Sequence, residues 1–307
     1  MVKVFLLIVV GLAGSPEHGT LFHKWGTQLA DSSARLGVPP ERLAFLVDAP
    51  MEGDKLVTGK STREEIGKAF DAIAKQAQPE DVVLVTLIGF GTYTGGDAKF
   101  NLPGPDMTPV EFDAQLKKLP TKQIVFVNTA SASGPFVEKL SGPGRTIVTA
   151  TRNGAEQFAT LFGGYFVDAL TSDAADADKN KRITVLEAFK YAKAEVTKAY
   201  EREGFLSTEH ALLDDDGDKE GSQDPGPTGK DGKVANLLAL GSTDAANLPS
   251  DPKLRALYLE RQDLEHRVEL LRLQKEQMDP AKYASELEKA VTAVALKTRQ
   301  IRQAEGK

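Results

Sequence analysis

Cysteine is absent from all 307 residues. The chain therefore contains no disulfide, no thiolate nucleophile and no cysteine-based metal site, and its redox compartment stays open. Histidine is scarce, which narrows the choice of an imidazole base to His18, His23, His210 and His266. Positive charge is not in excess, since 38 Lys and Arg stand against 44 Asp and Glu for a net charge of -6. That balance leaves no electrostatic footprint for nucleic acid or for an anionic membrane. No apolar run approaches the roughly 20 residues of a membrane-spanning helix.

What is present is organised around the stretch from Asp81 to Gly134. Its first half is the apolar, β-branched run Val82 to Ile88, which ends at Gly89-Phe90-Gly91. Its second half is Gln123 to Asn128, followed by Thr129-Ala130-Ser131-Ala132-Ser133-Gly134. Continuous apolar runs of this length read as strands buried on both faces, as in a parallel sheet. Both break into small residues at the carboxyl end, where open α/β sheets place their ligands.

These two strand ends resemble the caspase-fold cysteine peptidases, and the second resembles the legumain branch in particular. That family ends one strand in Gly-His-Gly and a later one in Ala-Cys-x-Ser-Gly. Laid on the pattern, Phe90 stands where the general base His belongs and Ser131 where the nucleophilic Cys belongs. Gly89, Gly91, Ser133 and Gly134 keep the glycine and serine positions around them, as residues of the cleft. The resemblance covers roughly residues 2–215. It implies an αβα sandwich with a mostly parallel sheet of six strands, and a peptidase homologue with both catalytic positions substituted.

The rest of the chain fits that plan. Strands are expected at about 3–10, 43–47 and 145–150, with helices at about 20–36, 62–77, 108–119, 155–171 and from Thr184 to Arg202. Residues 1–13 also have the profile of a short signal peptide, so the chain is read as soluble, either cytoplasmic or exported. Domain one is expected over 1–215 and an Asp/Gly/Pro-rich linker over 216–250, in which Val234 to Leu240 is a last strand or a docking segment. Residues 251–307 carry two apolar stripes. One is Leu254, Leu257, Leu264, Val268, Leu271 and Met278, and the other is Ala284, Leu287, Val291, Val294, Thr298 and Ile301. Asp279-Pro280 starts the second helix, giving an antiparallel hairpin whose stripes bury each other, pack on the main domain or self-associate like a coiled coil.

Ser131 needs a base to attack a carbonyl, and Phe90 cannot supply one; His18 or His210 would have to be recruited. Asp176, Asp178, Asn180, Arg182 and Glu187 have the spacing of a calcium loop of EF-hand type, although Lys181 replaces its usual glycine. Thr184-x-x-Glu187 is equally a capping box for the following helix. Asp214, Asp215, Asp216 and Asp218 read as a solvated loop. Gly53 to Ser61 misses the phosphate-binding loop by one residue, and Gly89 to Thr94 lacks the third glycine of a dinucleotide fingerprint, so no nucleotide is expected. Three functions remain open: an inactive homologue binding peptide or protein, a Ser131 hydrolase, and a calcium-stabilised scaffold.

Overall fold

Strands rich in Val, Ile and Leu with no polar face must be covered on both sides, and here they are. The computed structural model describes residues 2–50, 53–180, 182–242, 249, 251–273, 275 and 278–305. In chain order its strands are β1 (Val4–Val10), β2 (Leu43–Val47), β3 (Gly59–Lys60), β4 (Val82–Ile88), β5 (Gly91–Thr94), β6 (Asp97–Phe100), β7 (Gln123–Asn128), β8 (Arg145–Thr149), β9 (Arg182–Thr184), β10 (Leu212–Asp214) and β11 (Ala239–Ser242). The helices of the main unit are α1 (Pro16–Asp31), α2 (Arg63–Gln76), α3 (Pro109–Leu116), α4 (Pro135–Leu140), α5 (Phe162–Thr171) and α6 (Val185–Glu203).

Seven strands form the central sheet in the order β10-β8-β7-β4-β1-β2-β3. All neighbours are parallel except β10, which runs antiparallel to β8. Six strands were expected. The two short edge strands β3 and β10 carry too little apolar sequence to stand out, and Val234 to Leu240 contributes none: the chain turns there, and Ala239–Ser242 pairs with β9 in a separate ribbon. The Gly/Pro-rich loop after β4 likewise contains an antiparallel hairpin, β5 with β6.

Side chains alternate across the sheet as a pleat requires. Leu6, Ile8, Val10, Leu84 and Ile88 meet Phe22, Trp25, Phe162 and Phe189 of α1, α5 and α6. Phe5, Leu7, Val9, Val83, Val85 and Leu87 meet Ile66, Phe70, Phe112 and Phe136 of α2, α3 and α4. Each such side chain contributes about 1.5–3 kcal/mol by leaving water, so the two layers fix the register of β1 and β4 within the sheet. Val4–Val10 is an interior strand, paired on one side with β2 and on the other with β4, the strand at the middle of the sheet. Among the described residues no helix is long and apolar enough to cross a membrane.

Caps set the helix starts. Thr62 accepts the Glu65 N–H at the start of α2, and Thr108 with Glu111 forms a full capping box at α3. The Ser15 cap moves the start of α1 to Pro16, ahead of the expected residue 20. Helix α5 begins at Phe162, not near 155, because a remote carboxylate supplies its cap. Glu209, 4% exposed, accepts the Leu161 N–H at 2.8 Å and the Phe162 N–H at 3.0 Å.

Residues 216–242 are not a free linker. One compact unit spans Lys3–Thr243, and within it Ala235, Leu238 and Leu240 are buried on the α6 side of the sheet. Asp215 holds this segment through its side chain, accepting the Gly232 N–H at 2.9 Å and the Ala235 N–H at 2.7 Å.

The second unit, Asp244–Lys307 with Met1–Val2, contains α7 (Pro252–Leu273) and α8 (Pro280–Ala304). The two helices form the expected antiparallel hairpin, with Val268, Leu271 and Ala290 buried and Leu287, Val294 and Met278 packed beside them. Lys297 pairs with Glu260, and Arg267 pairs with Glu286 at 3.4 Å. The stripe on α8 is centred on Ala290, whereas Val291 is 46% exposed. The side chain of His266 lies outside the described residues.

Burial holds the Glu209 carboxyl above its ordinary value, against the Leu161 and Phe162 N–H groups and the Tyr200 hydroxyl. The folded pKa thus exceeds the unfolded one and folding takes up a proton. Its contribution falls as pH rises through the folded pKa and recovers on acidification. Glu209→Ala leaves two helix-start N–H groups without their acceptor and should cost about 1–3 kcal/mol in urea unfolding at neutral pH. Unfolding repeated at about pH 5 and pH 7 should show a flatter pH dependence in the variant than in the wild type.

Candidate functional site at the carboxyl ends of the strands

The direction of the sheet's crossovers reverses at β1: the chain moves from β1 to β2 on one side and then to β4 on the other. Ligand crevices of α/β sheets open at such a point, outside the carboxyl ends of the strands. Gly11 and Gly89 leave β1 and β4 here so close together that a Cβ on Gly89 would lie 3.3 Å from the Gly11 Cα. The crevice is filled by the returning hairpin. Asn101 accepts the Leu12 N–H at 3.0 Å and donates its own N–H to the Phe90 carbonyl at 3.0 Å, while the Phe100 ring is fully buried.

The loops that carry Phe90 and Ser131 come together at this edge through Gly91. The Ser131 hydroxyl accepts the Gly91 N–H at 3.2 Å and donates to the Gly91 carbonyl at 3.1 Å. Ser131 is 1% exposed. The loops touch so closely that a Cβ on Gly91 would sit 2.3 Å from the Ser131 carbonyl oxygen. Phe90 turns its ring to α1, edge-on to His18 at 5.1 Å and to Phe22 at 5.3 Å between ring centroids. Phe90 is thus part of an aromatic cluster with α1.

A second layer of bonds locks the loop after β7 to the loop after β8. The Ser133 and Thr151 hydroxyls lie 3.2 Å apart, and the Gly134 N–H donates to Thr151 Oγ1 at 3.0 Å. A Cβ on Gly134 would meet the Arg152 backbone at 2.2 Å, so this glycine is required by contact. The Ala132 N–H donates to the Glu156 carbonyl at 2.7 Å. Ala132 itself has φ 52°, a left-handed conformation rare for alanine, directly after the nucleophile position. Residues so held cluster at functional sites.

None of the imidazoles described is hydrogen-bonded to Ser131. His18 Nδ1 lies 2.9 Å from the Ser15 hydroxyl, and His23 Nε2 lies 3.1 Å from Asp54. His210 Nδ1 lies 2.6 Å from Glu156 Oε1, and the same carboxylate pairs with Arg152 at 3.0 Å. His210 therefore reaches the loop of Ser131 indirectly, through the residue whose carbonyl holds Ala132. Glu156, Glu209 and Thr151 carry no spacing signal in the sequence; only tertiary pairing brings them to this edge. A groove of about 960 Å³ lies between α1 and the loop after β2, lined by His23, Gln28, Asp48 and Asp54 among others. Phe90 and Ser131 do not line it.

The calcium-loop residues lie away from these strand ends, before α6. Carboxylate oxygens of Asp176, Asp178 and Glu187 lie within 4.8 Å of one another. Asn180 donates its N–H to Asp178 at 3.0 Å, and its side-chain oxygen accepts the Arg182 N–H at 2.8 Å. Glu187 also caps α6: one oxygen accepts the Thr184 N–H at 2.9 Å and the other the Ala177 N–H at 3.2 Å. Lys181 lies outside the described residues. The acidic run after β10 is not a solvated loop, since Asp214 and Asp215 are buried at 1% and 7% exposure.

A seven-stranded, mostly parallel sheet between two helical layers, with both small-residue strand ends at one edge, defines a caspase-like αβα sandwich. A family model described as the Peptidase C13 family matches residues 55–213, and the chain belongs to that family, the legumain family. Among curated proteins none matches the chain.

The approach of the two loops gives a direct test. Gly91→Ala should lower the unfolding midpoint by an amount corresponding to about 1–3 kcal/mol, the usual cost of forcing atoms into a packed contact. Gly67→Ala is the control, since a Cβ at this α2 position meets nothing within 4 Å. It should leave stability unchanged or raise it by up to about 1 kcal/mol.

Proposed function

We propose that this member of the legumain family is a non-catalytic homologue that binds a peptide or protein segment at the carboxyl edge of its sheet. One observation carries the reading: the Ser131 hydroxyl is closed on the backbone of Gly91, and the base position is an aromatic ring in contact with α1. A serine hydroxyl needs a base to remove its proton, and phenylalanine has none to offer. Binding is supported by exposed apolar side chains on the loops that leave the strands, Leu12 after β1 and Phe158 and Leu161 after β8. A peptide array probed with the full chain should give binders without cleavage. Phe158→Ser should weaken the best binder while leaving the melting temperature unchanged.

A second reading has its own support. His210 paired with Glu156 is the base-and-orienter half of a triad, and the Glu156 carbonyl holds the residue next to Ser131. Rotation of the Ser131 hydroxyl away from Gly91 would be needed to use it. Turnover of any peptide or ester by the wild type, abolished by Ser131→Ala, would establish this hydrolase and sink the non-catalytic reading.

Calcium at the Asp176–Glu187 loop belongs to the same proposal, as a structural ion. The ligand spacing and the proximity of its three carboxylates support it. The capping role of Glu187 competes with bidentate ligation and should hold affinity towards the millimolar end of the range for such loops, about 10⁻⁴–10⁻³ M. Calcium should raise the melting temperature over that in chelator, and Asp178→Ala should reduce the rise and remove one bound calcium in titration calorimetry.

A further inference from the structure

Strand β10 ends at Asp214, which is 1% exposed. One of its oxygens, Oδ1, accepts the Gly217 N–H at 3.1 Å. The other, Oδ2, is buried and makes no hydrogen bond. A buried carboxylate oxygen left without a partner is costly, and native folds rarely tolerate one. Its surroundings add to the cost. Carboxylate oxygens of Asp216 and Asp231 lie within 4.8 Å of Asp214 and of each other. Asp231 is itself 2% exposed, and its only hydrogen bond to a side-chain oxygen among the described residues is the Asp215 N–H at 3.1 Å.

Burial first, then the charges of Asp216, Asp214 and Asp215, push the Asp231 carboxyl up to about 6, against the Asp215 N–H. Burial also raises Asp214, and the nearby Ser141 hydroxyl and the Gly217 N–H offset only part of it. Lysine is close by but engaged elsewhere: Lys230 pairs with Asp218 and with Glu220, the outer acids of the run. Among the described residues no Lys or Arg forms an ion pair with Asp214, Asp216 or Asp231. Three carboxylates, two of them out of water, converge with no cation of the described residues paired to them.

We infer that Asp214, Asp216 and Asp231 bind a divalent cation, and that the ion is calcium. Hard oxygen donors select calcium, magnesium or manganese over softer metals. An irregular loop that supplies only part of a coordination shell suits calcium, which accepts variable geometry with water and carbonyl oxygens, better than magnesium with its strict octahedron. The ion would join the end of the edge strand to the segment around Asp231. That segment is the one whose Gly232 and Ala235 N–H groups are held by Asp215, and it leads into the buried Ala235 and Leu238. The site is distinct from the Asp176–Glu187 loop and does not depend on it.

The test uses the full chain carrying Asp178→Ala, so that the other loop does not contribute. After chelator treatment, calcium is titrated by calorimetry and melting is followed with calcium, with magnesium and with chelator. One calcium should bind and raise the melting temperature, with a smaller rise in magnesium. Asp231→Asn, and separately the exposed Asp216→Asn, should weaken calcium binding by about tenfold or more, which is about 1.4 kcal/mol or more of binding free energy. Asp216→Asn keeps the test decisive if Asp231→Asn fails to fold. Absence of calcium binding in the Asp178→Ala chain, or binding undiminished by these changes, would overturn the assignment.

Discussion

The two loops that leave β4 and β7 must cross within van der Waals contact, and the rest of the functional edge follows from that constraint. Contact requires Gly91, because any side chain there would strike the Ser131 carbonyl. It also determines what the Ser131 hydroxyl does. With the Gly91 N–H and carbonyl both in reach, the hydroxyl completes a donor and an acceptor bond at once. A buried hydroxyl with both functions satisfied has no drive to turn towards substrate. The close approach of the loops thus fixes the Ser131 hydroxyl on the backbone of Gly91.

The frame around this position does not use catalytic chemistry to hold itself together. Its bonds run from Ser133 and Gly134 to Thr151 and from Ala132 to the Glu156 carbonyl, and its fit rests on Gly134. None involves the side chain of residue 90. Phe90 leaves the frame intact and adds apolar contact with Phe22 and His18. Aromatic pairs at these separations contribute about 0.5–1.5 kcal/mol beyond their burial. The aromatic packing of Phe90 therefore adds to the stability of this edge.

How far the sequence alone reaches follows from how local each signal is. The bounds of β4 and β7 coincide with their apolar runs, and Phe90 and Ser131 could be placed at one edge from strand-end motifs alone. These are local patterns with a steep contrast between apolar run and small-residue break. Strands β3 and β10 escaped because two or three residues make no pattern. The start of α5 escaped because its cap, Glu209, comes from far along the chain. The stripe of α8 was placed one residue off at Val291 because Ala290, the buried residue, carries a weak hydrophobic signal. Pairings such as His210 with Glu156 have no sequence signature at any spacing.

The acidic stretch after β10 shows where composition misleads. Asp, Gly and Lys in succession describe a solvated loop, and the exposed Asp216, Asp218 and Glu220 match that description. Asp214 and Asp215 belong to another environment because β10 adds to the sheet beside β8 and carries its last residue below the surface. Asp215 makes up for lost water with the backbone N–H groups of Gly232 and Ala235. Asp214 has only half of that compensation. The difference between the two neighbours lies in their partners, since chain position and residue type are the same. A charge drawn into the fold by strand pairing must find a donor, a proton or a cation, and for Asp215 the donors are in place.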